Sequence, residues 1–435
     1  RVASSFDSAQ SPYRSFLSEM IRQSPILFNC VMGMSAAHLG QQDRNTSITP
    51  LTFQTEAISH ISREITLIES REQGLIPQVN NTNQDGSSRF TIKEDLLLGI
   101  ITLGMTSSWY DPSSLGLCHF HGARQLFKIW IAESDMTELQ LPTSSAQRLI
   151  VSSMVYWEVM ASCLIDQDMK ALSYLDTFCT LPPVILRYPS PWTGVGLFVL
   201  IQLAKCITLV RQSRHLHRLK CTLEETSSIR SSYFRLTKKA FILAHNVDQS
   251  QVPPVEDIQE TEDPVTPTSH LYKVAYCYRL IARLELYRAF PDLVDDQSAT
   301  EVGYDQINLR TQQIKGLAIE ILEIMQSIPD GSGTIAIQTL IFLSAGSVLA
   351  ISSTMDTATS TLILKWREFV LQRFYKSYQC LKLETIRRVA TVLKQVWSRM
   401  DSLAGGVYAT GCKSPIIHVH WIDIMKEADL ETILG

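Results

Sequence analysis

The chain has 435 residues, 45% of them hydrophobic, with 39 Lys and Arg against 43 Asp and Glu, a net charge of −4 and a pI of about 6.2. That length and apolar content supply a large core, enough for two or three domains or one long helical array. The near balance of charge excludes a strongly basic nucleic-acid-binding body, and the low charged fraction of 19% points to extensive burial.

Apolar residues recur at helical spacing along most of the chain. In SPILFNCVMGMSAAHLG, Ser24 can cap free N–H groups, Pro25 suits the first helical position and Gly40 suits a stop. Residues 72–92 are rich in Asn, Gly and Ser and read as a surface loop. KEDLLLGIITLGM places Glu94 and Asp95 in a first turn, where the helix dipole favours them.

CHFHGARQL follows, with Cys118, His119 and His121 as three metal-ligand types within four residues. Side chains two apart on a helix point about 200° apart, so His119 and His121 cannot share a metal there. The run continues into HGARQLFKIWIAE, whose Ala123, Leu126, Phe127, Trp130 and Ile131 form an apolar face. Cys118 and His121 could meet, but two ligands are too few for a structural zinc. An ordinary helix start is the better reading.

Residues 134–145 read as a second loop. Helical patterns then cover 146–166, 194–211, 268–289, 309–327, 333–353, 359–378 and 381–401. RQSRHLHRLK is the most basic run; Arg211, Arg214, Arg218 and Lys220 form a candidate contact patch, against the plainer reading of a solvated helix end. Residues 250–269 combine prolines with acidic residues and read as a mobile loop, with Thr261, Thr266 and Ser269 as candidate modification sites. Residues 331–355 carry no charge over a length that could span a bilayer. Gln338, Thr339, Ser344, Gly346 and Ser347 interrupt that run, so it reads as a buried central helix. SPIIHVHWIDIM contains the pair His418 and His420, read as packing at the start of a final amphipathic segment.

No hairpin pattern and no Gly-rich strand–turn–helix unit appears. The fold class is therefore all-α: a single large multi-helix body of antiparallel helices over 1–435, with long surface loops at 72–92 and 250–269. Nine cysteines are scattered singly, with no CxxC, and read as free thiols in a reducing compartment. GxGxxG, GxxxxGK[ST], HExxH and GxSxG are all absent, so no catalytic residue is assigned. The chain begins at Arg1 without a signal-like segment, and further sequence upstream is expected.

Several segments, in this order, resemble the regulatory domain of fungal-specific transcription factors, the region that follows a Zn2Cys6 zinc cluster. SPILFNCVMGMSAAHL resembles the opening helix of that family. DLLLGIITLGMTSSWY with LCHFHGARQLFKIW resembles the next pair, in which His121, Gly122, Ala123, Arg124 and Leu126 match a HxxGAxxL-like pattern. MVYWEVMAS, PWTGVGLFVLIQLAKCITLVRQSR, LETIRRVATVLKQVWSRMD and HWIDIM resemble later helices.

The resemblance implies a regulatory body in the nucleus that controls transcription through partner or small-molecule binding and conformational change. It implies an upstream zinc cluster that contacts DNA, so no cofactor is expected in this chain and zinc only upstream. Expected partners are DNA through that upstream module, transcription machinery or a regulatory protein, a small-molecule effector and a second copy of the chain, with no membrane. His38, His121, Arg124, Tyr156 and Trp157 are the candidate effector-pocket residues. Two other readings accompany this one. Some proteins with this helical body are scaffolds of DNA-bound assemblies such as the kinetochore; an enzyme of unknown class is the other.

Overall fold

The computed structural model describes residues 3–42, 50–72, 92–133, 145–180, 186–222, 226–294, 304–352, 355–405 and 415–434. The helices in chain order are α1 Pro12–Ser15, α2 Leu17–Gln23, α3 Pro25–Gln42, α4 Pro50–Glu72, α5 Glu94–Met105, α6 Ser107–Tyr110, α7 Leu117–Glu133, α8 Ser145–Ser162 and α9 Asp176–Cys179. They continue as α10 Leu197–Thr222, α11 Ser227–Gln249, α12 Thr268–Ala289, α13 Tyr304–Gln326, α14 Thr339–Gly346, α15 Thr357–Leu381, α16 Glu384–Gly405, α17 Pro415–His418 and α18 Trp421–Glu427. Among the described residues there is no strand, only an isolated bridge between Ser190 and Gly194. The all-α expectation holds. The helices gather into two compact units, Pro12–Met154 and Arg1–Ser11 with Val155–Gly435.

In the unit Pro12–Met154, α3 packs on α4 and α5, and α5 on α7. Ser24 caps α3 as its sequence predicts, its Oγ accepting from Leu27 N–H at 3.3 Å. Glu94 and Asp95 sit in the first turn of α5, and nearly every later residue of that helix is buried. The turn into α7 depends on Gly116, which has φ +61°. A Cβ there would lie 2.2 Å from the Gly104 carbonyl oxygen, part of the backbone and unable to yield. Gly116→Ala should therefore cost about 2 kcal/mol, measured as the difference in urea-unfolding free energy. A loss below about 0.5 kcal/mol would show that the turn relaxes.

In the other unit, α10 packs on α11 and α12, α12 on α13 and α14, and α14 on α15 and α16. The uncharged run predicted as one helix over 333–353 is a 3-10 turn, Gly333–Ile337, followed by the eight-residue α14 and a non-helical exit. Every residue of α14 is buried, as expected for a helix apolar on all sides. Among the described residues no helix is long and apolar enough to cross a membrane.

The segment 250–269 is not the loose acidic loop its composition suggests. Thr261 donates to the Thr266 carbonyl at 2.6 Å, Asp263 accepts from Val265 N–H at 3.1 Å and from Asp7 N–H at 2.9 Å, and Thr266 Oγ1 accepts from Gly333 N–H at 2.8 Å. Ile258 joins a core cluster with Phe6, Val195, Leu271 and Ala275. Thr261 and Thr266 are 1% and 0% exposed, so they are structural hydroxyls and a modifying enzyme cannot reach them in the fold. Composition reports the acids and prolines, whereas a single apolar anchor and satisfied turn hydroxyls decide the packing. The expected loops 72–92 and 134–145 lie, apart from their ends, outside the described residues.

Candidate functional site

The chemistry of the larger unit concentrates where α10, α12, α14 and α18 meet. Arg211, Arg214 and Arg218 are spaced i, i+3, i+7, which puts them on one face of α10. That face turns inward. Arg211 donates to Asp166 Oδ1 at 2.7 Å through Nη2 and to the Cys163 carbonyl at 2.8 Å through Nη1. Arg214 donates to Asp423 Oδ2 at 2.7 Å, and to the carbonyls of Ile417 at 2.8 Å and His418 at 2.6 Å. Arg218 pairs with the second oxygen of Asp423. The basic run is thus an internal clamp: Arg211 and Arg214 are buried, Arg218 is half-buried and Lys220 is exposed. Asp423 is held below the ordinary carboxylate range: burial pushes it up, but Arg214 foremost, with Arg218, pulls it further down.

Behind this clamp lies a second, fully buried set of charges. Glu285 and Arg288, one turn apart on α12, are 0% and 1% exposed. Ser344 of α14 donates to Glu285, as does Trp421 Nε1 at 2.8 Å, and His420 Nε2 lies 2.8 Å from the other oxygen. Arg288 donates to Ser347 Oγ at 2.8 Å and the Val419 carbonyl at 3.0 Å, with Nη1 3.7 Å from Glu285. His420 Nδ1 accepts from Ile422 N–H at 3.2 Å, which leaves the proton on Nε2 for Glu285. Burial, with the nearby Arg288 charge, pulls His420 down to about 4, so it is neutral near pH 7. Burial alone would raise Glu285, but His420 foremost, with Arg288 and the Ser344 hydroxyl, reverses that and holds it as a carboxylate at about 2.

Of the residues predicted to form an effector pocket, His38, His121 and Arg124 lie in the unit Pro12–Met154, and Tyr156 and Trp157 in the other. His38 on α3 is half-buried, its ring centroid 6.0 Å from Trp109. His121 is exposed on α7, and Arg124 is buried with its guanidinium 4.4 Å over the Phe120 ring. Tyr156 and Trp157 are fully buried, Tyr156 with its ring 5.4 Å from Trp192. Neither Tyr156 nor Trp157 is among the residues that line four cavities of the larger unit. The CHFHGARQL run forms the first turns of α7, as its apolar face predicts. Among the described residues no group of three or more His, Cys, Asp or Glu is placed to hold a metal ion. Cys30, Cys118, Cys163, Cys179, Cys206, Cys277 and Cys380 are free thiols.

Sequence reasoning missed the Glu285–Arg288–His420 set. A signal existed: Glu285 and Arg288 fall on the stripe defined by Leu271, Val274, Tyr278 and Ile281, all buried, where an unpaired charge is too costly to keep.

Fold and site together define an all-α protein built around an internal ion network. A family model described as "Fungal specific transcription factor domain" matches residues 1–435, the whole chain. The chain belongs to that family, and its role is in transcription regulation. No curated protein and no solved structure matches it.

Proposed function

We propose that the chain is the regulatory body of a fungal transcription factor of the Zn2Cys6 type, acting in the nucleus and without catalysis. The supporting observation is the family match over all 435 residues. In this reading DNA is contacted by a zinc-cluster module outside these residues, and the chain itself carries no cofactor. The helical body binds transcription machinery, a regulatory protein or a small effector, and self-associates as a homodimer. Control is conformational: a ligand or partner acts by binding one arrangement of the helices better than another.

The test is to fuse residues 1–435 to a heterologous DNA-binding domain and measure a reporter carrying its site. A change in reporter output relative to the DNA-binding domain alone is expected. Unchanged output, together with stoichiometric co-purification with subunits of a DNA-bound assembly, would replace this reading with that of a scaffold.

A further inference from the structure

Helix α11 turns to solvent a face that mixes large apolar side chains with positive charge. Its inner residues Leu236, Ala240, Leu243 and Val247 are buried, and the helix packs on α10 and α12. On the outer side Phe234, Lys238, Phe241 and His245 recur at i, i+4, i+7 and i+11 and share one stripe. Arg235, Lys239 and Ile242, at i, i+4 and i+7, form the stripe beside it. All seven are exposed, Phe234 by 60%, Phe241 by 42% and Ile242 by 65%. Single exposed apolar residues are ordinary, but three on one helical face make a patch of the kind that partners cover.

The charge of this face has one sign. Between Ser227 and Val247 the helix carries no Asp or Glu. Lys238 lies over the Phe234 ring, 4.6 Å from its centroid, and Arg235 donates to the uncharged Ser232 Oγ at 3.0 Å. Among the described residues Arg235, Lys238 and Lys239 have no carboxylate partner. Beside the second stripe, α10 and α11 border a cleft of about 600 Å³, lined by Arg235 and Lys239 with Leu216, Leu236 and His215. The two carboxylates of that cleft are already engaged: Asp166 pairs with Arg211 at 2.7 Å, and Asp168 accepts from Lys170 N–H at 2.8 Å.

We infer that this face of α11, with the adjoining cleft, docks an acidic amphipathic helix of a partner protein. Phe234, Phe241 and Ile242 receive its apolar side chains, as in helix-in-groove recognition. Arg235, Lys238 and Lys239 meet its carboxylates at the rim, where opposite charge fixes orientation and speeds encounter. Charge complementarity selects this occupant. A second copy of the chain in a symmetric pair would set the positive face against itself. Duplex nucleic acid would find phosphate partners but leave the three apolar side chains unused. A membrane surface takes up the most apolar face of a helix, and that face of α11 is turned into the protein. That the docked helix belongs to a partner in transcription rests on the role proposed above; that an acidic helix docks here does not.

The test selects a displayed library of random peptides, about 16 residues long so that a helix can form, on the purified chain. Enriched peptides are synthesised and their Kd measured by fluorescence anisotropy. Sequences rich in Asp and Glu, with Leu, Phe or Trp at helical spacing, are expected. Their Kd should rise roughly tenfold or more in Phe241→Gln, which removes an apolar anchor, and in the charge reversal Lys239→Glu. Tyr375→Gln, at an exposed position of α15, should bind like the wild type. All three positions are exposed, so the variants should fold, which circular dichroism checks. Enrichment of basic or uncharged peptides overturns the partner class, and equal affinity in all three variants overturns the surface. Two further results also overturn the proposal. One is a self-association, read by sedimentation, that Phe241→Gln abolishes, which would give the face to a second copy. The other is binding of phosphatidylserine vesicles or duplex DNA that Lys239→Glu abolishes while no acidic peptide is enriched. None of these readouts uses the reporter, so the docking surface and the transcriptional role can fail separately.

Discussion

Glu285→Ala should be among the most damaging single substitutions in the chain, costing about 3–5 kcal/mol of unfolding free energy. The carboxylate accepts from Ser344, His420 and Trp421 and faces Arg288. Its removal leaves a cation that is 1% exposed without its counter-charge. It also leaves three buried donors without an acceptor, and each such group retains its desolvation cost with nothing to offset it. Glu285→Leu combined with Arg288→Met should recover much of the loss, because apolar groups of similar volume carry no uncompensated charge. Urea denaturation of the wild type, the single variant and the double variant measures this. A single-variant loss under about 1 kcal/mol would mean that water reaches the site and that the network is not a dry one.

The second large effect is a dependence on pH carried by His420. Its folded-state pKa, near 4, lies below the unfolded value of about 6.5. In that interval the unfolded chain takes up a proton that the folded chain refuses, so stability rises with pH. The contribution is fully present above about pH 6.5 and is lost as pH falls towards 4. It amounts to about 3 kcal/mol for a shift of this size. Glu285, held at about 2, adds its own loss only below the ordinary carboxylate range; His38, His119 and His270 are also lowered by burial, so the comparison with a His420 variant between pH 7 and 5 is what separates this histidine. His420→Gln keeps a donor for Glu285 but cannot titrate, and its stability should be flatter across that window. Equal slopes in the two proteins would show that His420 is solvated and already titrates normally when folded.

Both effects originate in residues that the amino-acid pattern presents as unremarkable helix. The long helices were legible wherever one apolar stripe dominated. In α16, Ile386, Val389, Val392, Leu393, Val396 and Trp397 form such a stripe, and all are buried. α3 and α5 carried their own start signals in Ser24, Pro25, Glu94 and Asp95. By contrast α4 and α11 were missed. In α11 the buried residues Leu236, Ala240, Leu243 and Val247 follow helical spacing, but exposed Phe234, Phe241 and Ile242 blur the stripe. α4 buries Ala57 and Ile61 among many polar residues, too little apolar surface to mark a face.

Local sequence therefore determined the all-α class, the caps and the inward faces of most long helices, because helical periodicity and capping act within a few residues. The family likeness, too, was legible, since it lies in the order of those segments. Only the tertiary structure decided which charges meet. Glu285 and His420 are 135 residues apart in sequence, as Arg214 and Asp423 are 209 apart. No local pattern specifies such a pairing. The polar residues that interrupted the uncharged run, Ser344 and Ser347, proved to be partners for Glu285 and Arg288. The basic run likewise turned out to face carboxylates and carbonyls of the same chain, because a low-dielectric interior admits charge only where the fold supplies its partner.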